Sequence, residues 1–216
     1  MKLKKLAIGN LNPKFFRVSI FGSSRVKRKD KVYREVHELA RMLGERGIDV
    51  VTGGGPGLMN AANSGHKVGS VGTEAKSFGL GIKLPKEQRY NRSVDVRKTF
   101  EMFSSRLDKF MLVSNAVVVA PGGVGTLLEL FYTWQLVQVK HVCHIPIILM
   151  GEPWPELVQW LRKWPLKRRY FDKKDLDMLF WAKDFKQAIE VIDEAYKEFK
   201  RGKKDFCLNF KRYRID

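Results

Sequence analysis

Three glycine-rich stretches carry the residue types that hold a phosphate. They are Phe21-Gly22-Ser23-Ser24, Gly53-Gly54-Gly55-Pro56-Gly57 and Pro121-Gly122-Gly123-Val124-Gly125-Thr126. Without a Cβ, glycine lets the backbone approach a ligand closely and adopt positive φ. Where a helix follows, its first N–H groups lack intrahelical acceptors, and together with the helix dipole they favour an anion. One such loop could be a tight turn and nothing more; three at equivalent junctions are expected to form a ligand site. None is a standard nucleotide signature. No Gly-Lys-Ser/Thr follows the glycines, and G-x-G-x-x-G does not follow the first strand. A phosphoryl-transferring ATPase and a nicotinamide enzyme are therefore disfavoured.

Two charged residues lie near these loops. Thr126-Leu127-Leu128-Glu129 matches a capping box, which would make Glu129 a helix cap. The other reading aims its carboxylate into the phosphate-lined cleft, where it would stabilise an oxocarbenium-like sugar or activate a water. Arg106, in Ser104-Ser105-Arg106-Leu107-Asp108-Lys109, is either a surface residue or a bidentate phosphate clamp. Cys143 and Cys207 stand 64 positions apart and form neither a metal-type spacing nor a disulfide framework. The residues call for no metal and no cofactor.

These groups need a frame. Strand-like and helix-like runs alternate, the pattern of a parallel sheet covered on both faces. Phe16–Phe21, Ile48–Thr52, Gly79–Leu84, Ala116–Ala120, Ile145–Leu149 and a short Met178–Trp181 read as strands. Asp30–Arg46 reads as an amphipathic helix with Val32, Val36, Leu39, Ala40 and Leu43 at helical spacing. Further helices are expected near Pro56 through Leu58–Ala62 and over Val96–Val113, Thr126–Val139, Trp154–Lys163 and Phe185–Lys200. Gly65–Gly72, with three glycines, reads as loop, and Lys86–Asp95 as polar and irregular. In such a doubly wound, Rossmann-like sheet all three glycine junctions fall at the carboxyl edge of the strands, where ligands bind. We expect one such domain over residues 16–200, an N-terminal extension over 1–15 and a basic tail over 201–216.

The chain has 216 residues, enough to bury about 70% of its unfolded surface. Its longest apolar runs are strand-length, short of the ~20 residues of a membrane-spanning helix. The basic start, Met1–Arg17, has too short an apolar stretch for a signal peptide. A cytoplasmic protein is expected. The 41 basic against 23 acidic residues give a net charge of +18. That charge attracts polyanions, and it suits a small anionic substrate equally. The dense clusters Lys163–Arg169, Lys197–Lys204 and Lys211–Arg214 read mainly as solvated surface, with a nucleic-acid site as the less favoured alternative.

The chain resembles the LONELY GUY family, long labelled "possible lysine decarboxylase". The resemblance rests on Gly53-Gly54-Gly55-Pro56-Gly57-Leu58-Met59 and on Pro121–Glu129, which fits P-G-G-x-G-T-x-x-E at every fixed position. Phe21–Ser24, Leu84-Pro85-Lys86-Glu87-Gln88 and the spacing from Arg106 to Pro121 support it, over roughly residues 16–200. It implies a Rossmann-like fold, usually a homodimer, and hydrolysis of the N-glycosidic bond of nucleoside 5′-monophosphates to free base and ribose 5-phosphate. It also implies Arg106 and Glu129 as the catalytic pair, with the third loop and Thr126 on the phosphate. Leu107 stands where the family's Arg is usually followed by Lys. Leu128 stands where many members carry an acid, and Gly65–Ser77 looks longer than usual. A decarboxylase would need pyridoxal phosphate on a Schiff-base lysine, and no lysine has that context. The alternatives are a non-catalytic carrier or sensor of a phosphorylated ligand, a nucleotide or the molybdenum cofactor, and a nucleic-acid binder like DNA-processing protein A. The second of these draws on the charge and the tail Phe206–Arg214.

Overall fold

A computed structural model describes residues 15–84, 89–142 and 145–202. Cys143, Cys207, the segment 85–88, nearly all of the N-terminal extension and the tail beyond Gly202 lie outside them. Seven strands form one all-parallel sheet: β1 (Arg17–Phe21), β2 (Asp49–Thr52), β3 (Ser77–Ile82), β4 (Val96–Phe100), β5 (Ala116–Val119), β6 (Ile147–Met150) and β7 (Leu179–Ala182). Their order is β4-β3-β2-β1-β5-β6-β7. The chain winds outward from β1 to β4, then returns to pair β5 beside β1 and winds the other way. The doubly wound Rossmann-like expectation is therefore met, and the topological switch point lies between β1 and β5.

β1, β2, β5 and β6 are buried at every residue. That is why Ala116–Val119 and Ile147–Met150 read as unbroken apolar runs: helices cover both faces of a parallel sheet. The helices are α1 (Lys31–Glu45), α2 (Leu58–Gly69), α3 (Phe103–Val113), α4 (Val124–Gln138), α5 (Pro153–Leu161), the short α6 (Lys173–Leu176) and α7 (Phe185–Lys200). A π-helical turn, Arg162–Leu166, carries Pro165 and ends the helix that α5 begins. The amphipathic reading of the first helix holds, since α1 buries Val36, Leu39, Ala40 and Leu43 in the core. α7 starts where Asp184 accepts hydrogen bonds from the N–H groups of Lys186 and Gln187.

Two expectations fail. Gly65–Gly72 is not a loop: α2 continues to Gly69. Gly65 and Gly69, one turn apart, face α1, and a Cβ would stand 2.0 Å from the carbonyl oxygen of His37 or 1.9 Å from that of Arg41. The glycines let two helix backbones approach and do not break the helix. Gly65→Ala is accordingly expected to lose roughly 2–3 kcal/mol, because α1 cannot move back without opening the core. Urea denaturation measures this.

Val96–Val113 is not one helix either. Val96–Phe100 is the edge strand β4, in parallel register with Phe78–Ile82, and α3 begins only at Phe103. Apolar residues four apart (Val96, Phe100) and the later Phe103 and Leu107 imitate a helical stripe. The alternation Val96-Arg97-Lys98-Thr99-Phe100 fits a strand as well, and pairing with β3 decides between them.

Candidate active site

Ser23 joins the three glycine junctions. Its N–H donates to the Pro121 carbonyl (3.1 Å), and its own carbonyl accepts from the Leu58 N–H (2.9 Å). Gly57 has φ +65°, and a Cβ there would stand 2.3 Å from that same Ser23 carbonyl. Any side chain at 57 would thus be strained and would also separate the first two loops.

The second loop is held from below by a buried polar network. The Thr52 hydroxyl donates to Asn63 Oδ1 (2.9 Å) and accepts from the Gly54 N–H (2.9 Å). Asn63 Nδ2 donates to the Ser77 hydroxyl (2.6 Å). Asn91 Nδ2 faces the carbonyls of Gly54 and Gly55 and Asn63 Oδ1 at 2.8–3.1 Å. Such a network fixes a loop when each member is satisfied.

On the other side of the switch point α4 starts at Val124, after the N-cap Gly123, with no side-chain cap and no acid in its first turn. Its first N–H groups therefore have no intrahelical acceptor, and the positive end of its dipole faces the cleft uncompensated. Gly123 and Gly125 are exposed, and a Cβ on either would meet nothing within 4 Å. Protein packing does not require glycine there. What a side chain would fill is the cleft. Gly122 differs: a Cβ would stand 2.1 Å from the Thr126 hydroxyl, so glycine lets Thr126 tuck in.

Arg106 on α3 and Glu129 on α4 meet across this cleft. Arg106 Nη1 lies 3.0 Å from Glu129 Oε1, with side chains only 10% and 11% exposed. Arg106 Nε donates to the Leu80 carbonyl (2.6 Å), and its guanidinium lies 5.0 Å from the Phe110 ring centroid. A Cβ at Gly53 would sit 2.6 Å from Arg106 Nη2, so the second loop is glycine at 53 to admit the arginine. The surface reading of Arg106 is thereby set aside. The capping-box reading of Glu129 fails too. The helix begins at Val124, so Thr126 is its third residue and Glu129 lies in the second turn. Burial pushes the Glu129 carboxyl above the usual carboxylate range, and the Arg106 charge pulls against that rise.

The resulting cavity, about 490 Å³, is lined by Gly22, Ser23, Ser24, Arg25, Met59, Arg106 and Gly123–Thr126 with Glu129. Of the residues expected at the site, Gly53, Gly54, Gly55, Gly57 and Gly122 do not line it; Gly53, Gly57 and Gly122 make room for Arg106, Ser23 and Thr126, which do. Leu107 is buried, at 5% exposure, and is not part of the lining. Arg25, Met59, Asn63 and Asn91 were not expected. Asn91 sits in a stretch read only as irregular, and its partners lie 28 to 37 positions away. Among the described residues no three His, Cys, Asp or Glu side chains group as metal ligands.

A parallel sheet wound both ways from β1, with an uncapped helix start and a buried Arg–Glu pair at its switch point, defines a Rossmann-like α/β protein. The family described as "Possible lysine decarboxylase" matches residues 59–192, which include Arg106, the third loop and Glu129. The chain belongs to this family, the LONELY GUY family of the sequence resemblance. It is 33% identical over 137 residues to a probable cytokinin riboside 5′-monophosphate phosphoribohydrolase of rice (Oryza sativa subsp. japonica), covering 59% of this chain and 52% of that one. It is 29% identical over 140 residues to the pyrimidine/purine nucleotide 5′-monophosphate nucleosidase of Escherichia coli (strain K12), covering 62% of this chain and 30% of that one. The match thus spans about half of the rice relative and under a third of the bacterial one. Among solved structures, the molybdenum cofactor binding protein of Rippkaea orientalis superposes with a TM-score of 0.62 at 17% identity, over 83% of this chain and 96% of that one. That likeness shows the shared fold.

Proposed function

We propose that this protein hydrolyses the N-glycosidic bond of nucleoside 5′-monophosphates, releasing free base and ribose 5-phosphate, with Arg106 and Glu129 as the catalytic pair. The observation that carries the reading is the buried Arg106–Glu129 pair facing the uncapped start of α4. The 5′-phosphate sits on the N–H groups of Gly123–Thr126, with Ser23 and Ser24 opposite. Arg106 fixes the carboxylate, which contacts the ribose and stabilises positive charge developing at the anomeric carbon. The bond from that carbon to the base nitrogen breaks with its electron pair leaving on the base. Water adds to the carbon, and its surplus proton ends on the base. The names of the rice and E. coli relatives support this substrate class. Release of base from AMP but not from adenosine tests it. Equal rates on both would remove the phosphate site from the account, and tight AMP binding without turnover would favour a carrier.

Because the Glu129 pKa is raised, the ionised form is lost as pH falls at a point above that of an ordinary carboxylate. The acid limb of kcat/KM is expected correspondingly above about pH 4.3, the unperturbed value for Glu. A pH–rate profile checks this.

The protein acts as a homodimer in the cytoplasm. Val124, Leu128 and Phe131 of α4 form an exposed apolar row at helical spacing beside a groove of about 320 Å³ with Trp134, Tyr170 and Phe171. A contiguous exposed apolar row of this kind marks a contact surface. Sedimentation is expected to give a dimer for the wild type and a monomer for Phe131→Asp.

A further inference from the structure

A second cavity, about 480 Å³, lies at the β3–β4 margin of the sheet, lined by Ile82, Lys83, Leu84, Arg89, Tyr90, Arg97 and Thr99. It shares no residue with the Arg106–Glu129 cleft. Its tyrosine floor covers the α2 side of β3, whereas Arg106 of the cleft comes from α3. Ser77, Gly79 and Gly81 of β3 point one way along the strand, and the Ser77 hydroxyl bonds Asn63 of α2. Leu80 lies between them, where Arg106 of α3 reaches its carbonyl.

The floor is a fixed tyrosine. The Tyr90 ring occupies the space that a Cβ at Gly54, Gly79 or Gly81 would need. Its hydroxyl accepts from the Gly81 N–H (3.1 Å) and shares a hydrogen bond with Thr99 (3.0 Å). The Arg97 guanidinium lies 5.6 Å from the ring centroid. Lys83 reaches Glu101 in an exposed pair at 3.2 Å. Among the described residues no carboxylate lies within ion-pair distance of Arg89 or Arg97. A charged edge strand guards a sheet against edge pairing, which accounts for Lys98. It does not account for two guanidiniums and an ammonium converging on one cavity over a locked aromatic ring. Two guanidinium forks that no described carboxylate pairs are suited to bidentate contact with phosphate oxygens.

We propose that Arg89, Arg97 and Lys83 form a second anion site that takes a small phosphate-bearing ligand, separate from the cleft. The proposal does not depend on the hydrolytic reading. Its test is calorimetric titration of the full chain with inorganic pyrophosphate near 0.1 M salt, for wild type and for Arg89→Ala/Arg97→Ala. Both residues are exposed, and thermal melts verify that the variant is folded. The variant is expected to bind one equivalent fewer than the wild type and to keep its activity on AMP. Two equivalents falling to one places an anion in each cavity. One falling to none supports this site and tells against the cleft as a phosphate site. Equal stoichiometry and affinity in the two proteins would overturn the proposal. So would an oligothymidylate that displaces pyrophosphate from wild type and fails to bind the variant, since the occupant would then be a nucleic-acid backbone.

Discussion

Glu129→Gln is expected to lower kcat for AMP hydrolysis by about 10³-fold while leaving KM within a few-fold. The substitution keeps the size of the side chain and an oxygen for Arg106 to meet at the 3.0 Å now observed. It removes the negative charge proposed to face the anomeric carbon. The proposed phosphate contacts belong to the start of α4, one turn earlier, and are untouched. A charge that matters only as positive charge develops on the sugar acts on kcat, not on binding. Steady-state kinetics with AMP measures both constants. A kcat within tenfold of wild type would take Glu129 out of the mechanism.

Arg106→Met is expected to lose both activity and stability. Removing one partner of a buried pair leaves the other charge uncompensated, at a cost of about 3 kcal/mol or more. Leu80 also loses the donor to its carbonyl. The sign of the pH dependence follows from Glu129. Its carboxyl is already raised by burial, and Arg106 is what holds it down. Without Arg106 the folded-state pKa rises further above the unfolded value. The folded state then favours the protonated form, so the stability deficit is least at acid pH and grows as pH rises through the raised pKa. Urea unfolding at about pH 5 and about pH 8 should therefore show the larger loss at the higher pH. Arg106→Met/Glu129→Gln should recover much of the stability and none of the activity. A deficit that did not change with pH would mean that Glu129 is not the group left unpaired.

Much of the frame is legible in the sequence because it depends on local pattern. α1 declares itself by its apolar stripe, and β5 and β6 by unbroken apolar runs. The elements that mislead are those decided by a distant neighbour. Gly65 and Gly69 look like breakers until α1 is seen against them. Val96–Phe100 looks helical until β3 supplies its partner. The site divides in the same way. Arg106 and Glu129 each leave two readings open: Arg106 is decided by its burial against Glu129, and Glu129 by the start of α4 at Val124, after the N-cap Gly123. Tyr90 and Asn91 carry no motif at all. Their importance lies in bonds to Gly54, Gly55, Asn63 and Gly81, which only the folded chain brings together.

The central claim is the bond that breaks. Purified protein incubated with AMP, with the products separated and identified by mass, tests it most directly. The account predicts equal amounts of adenine and ribose 5-phosphate, with neither product formed from adenosine. Adenosine with inorganic phosphate would contradict it, because the phosphate placed at the start of α4 would then be the group attacked instead of the group held.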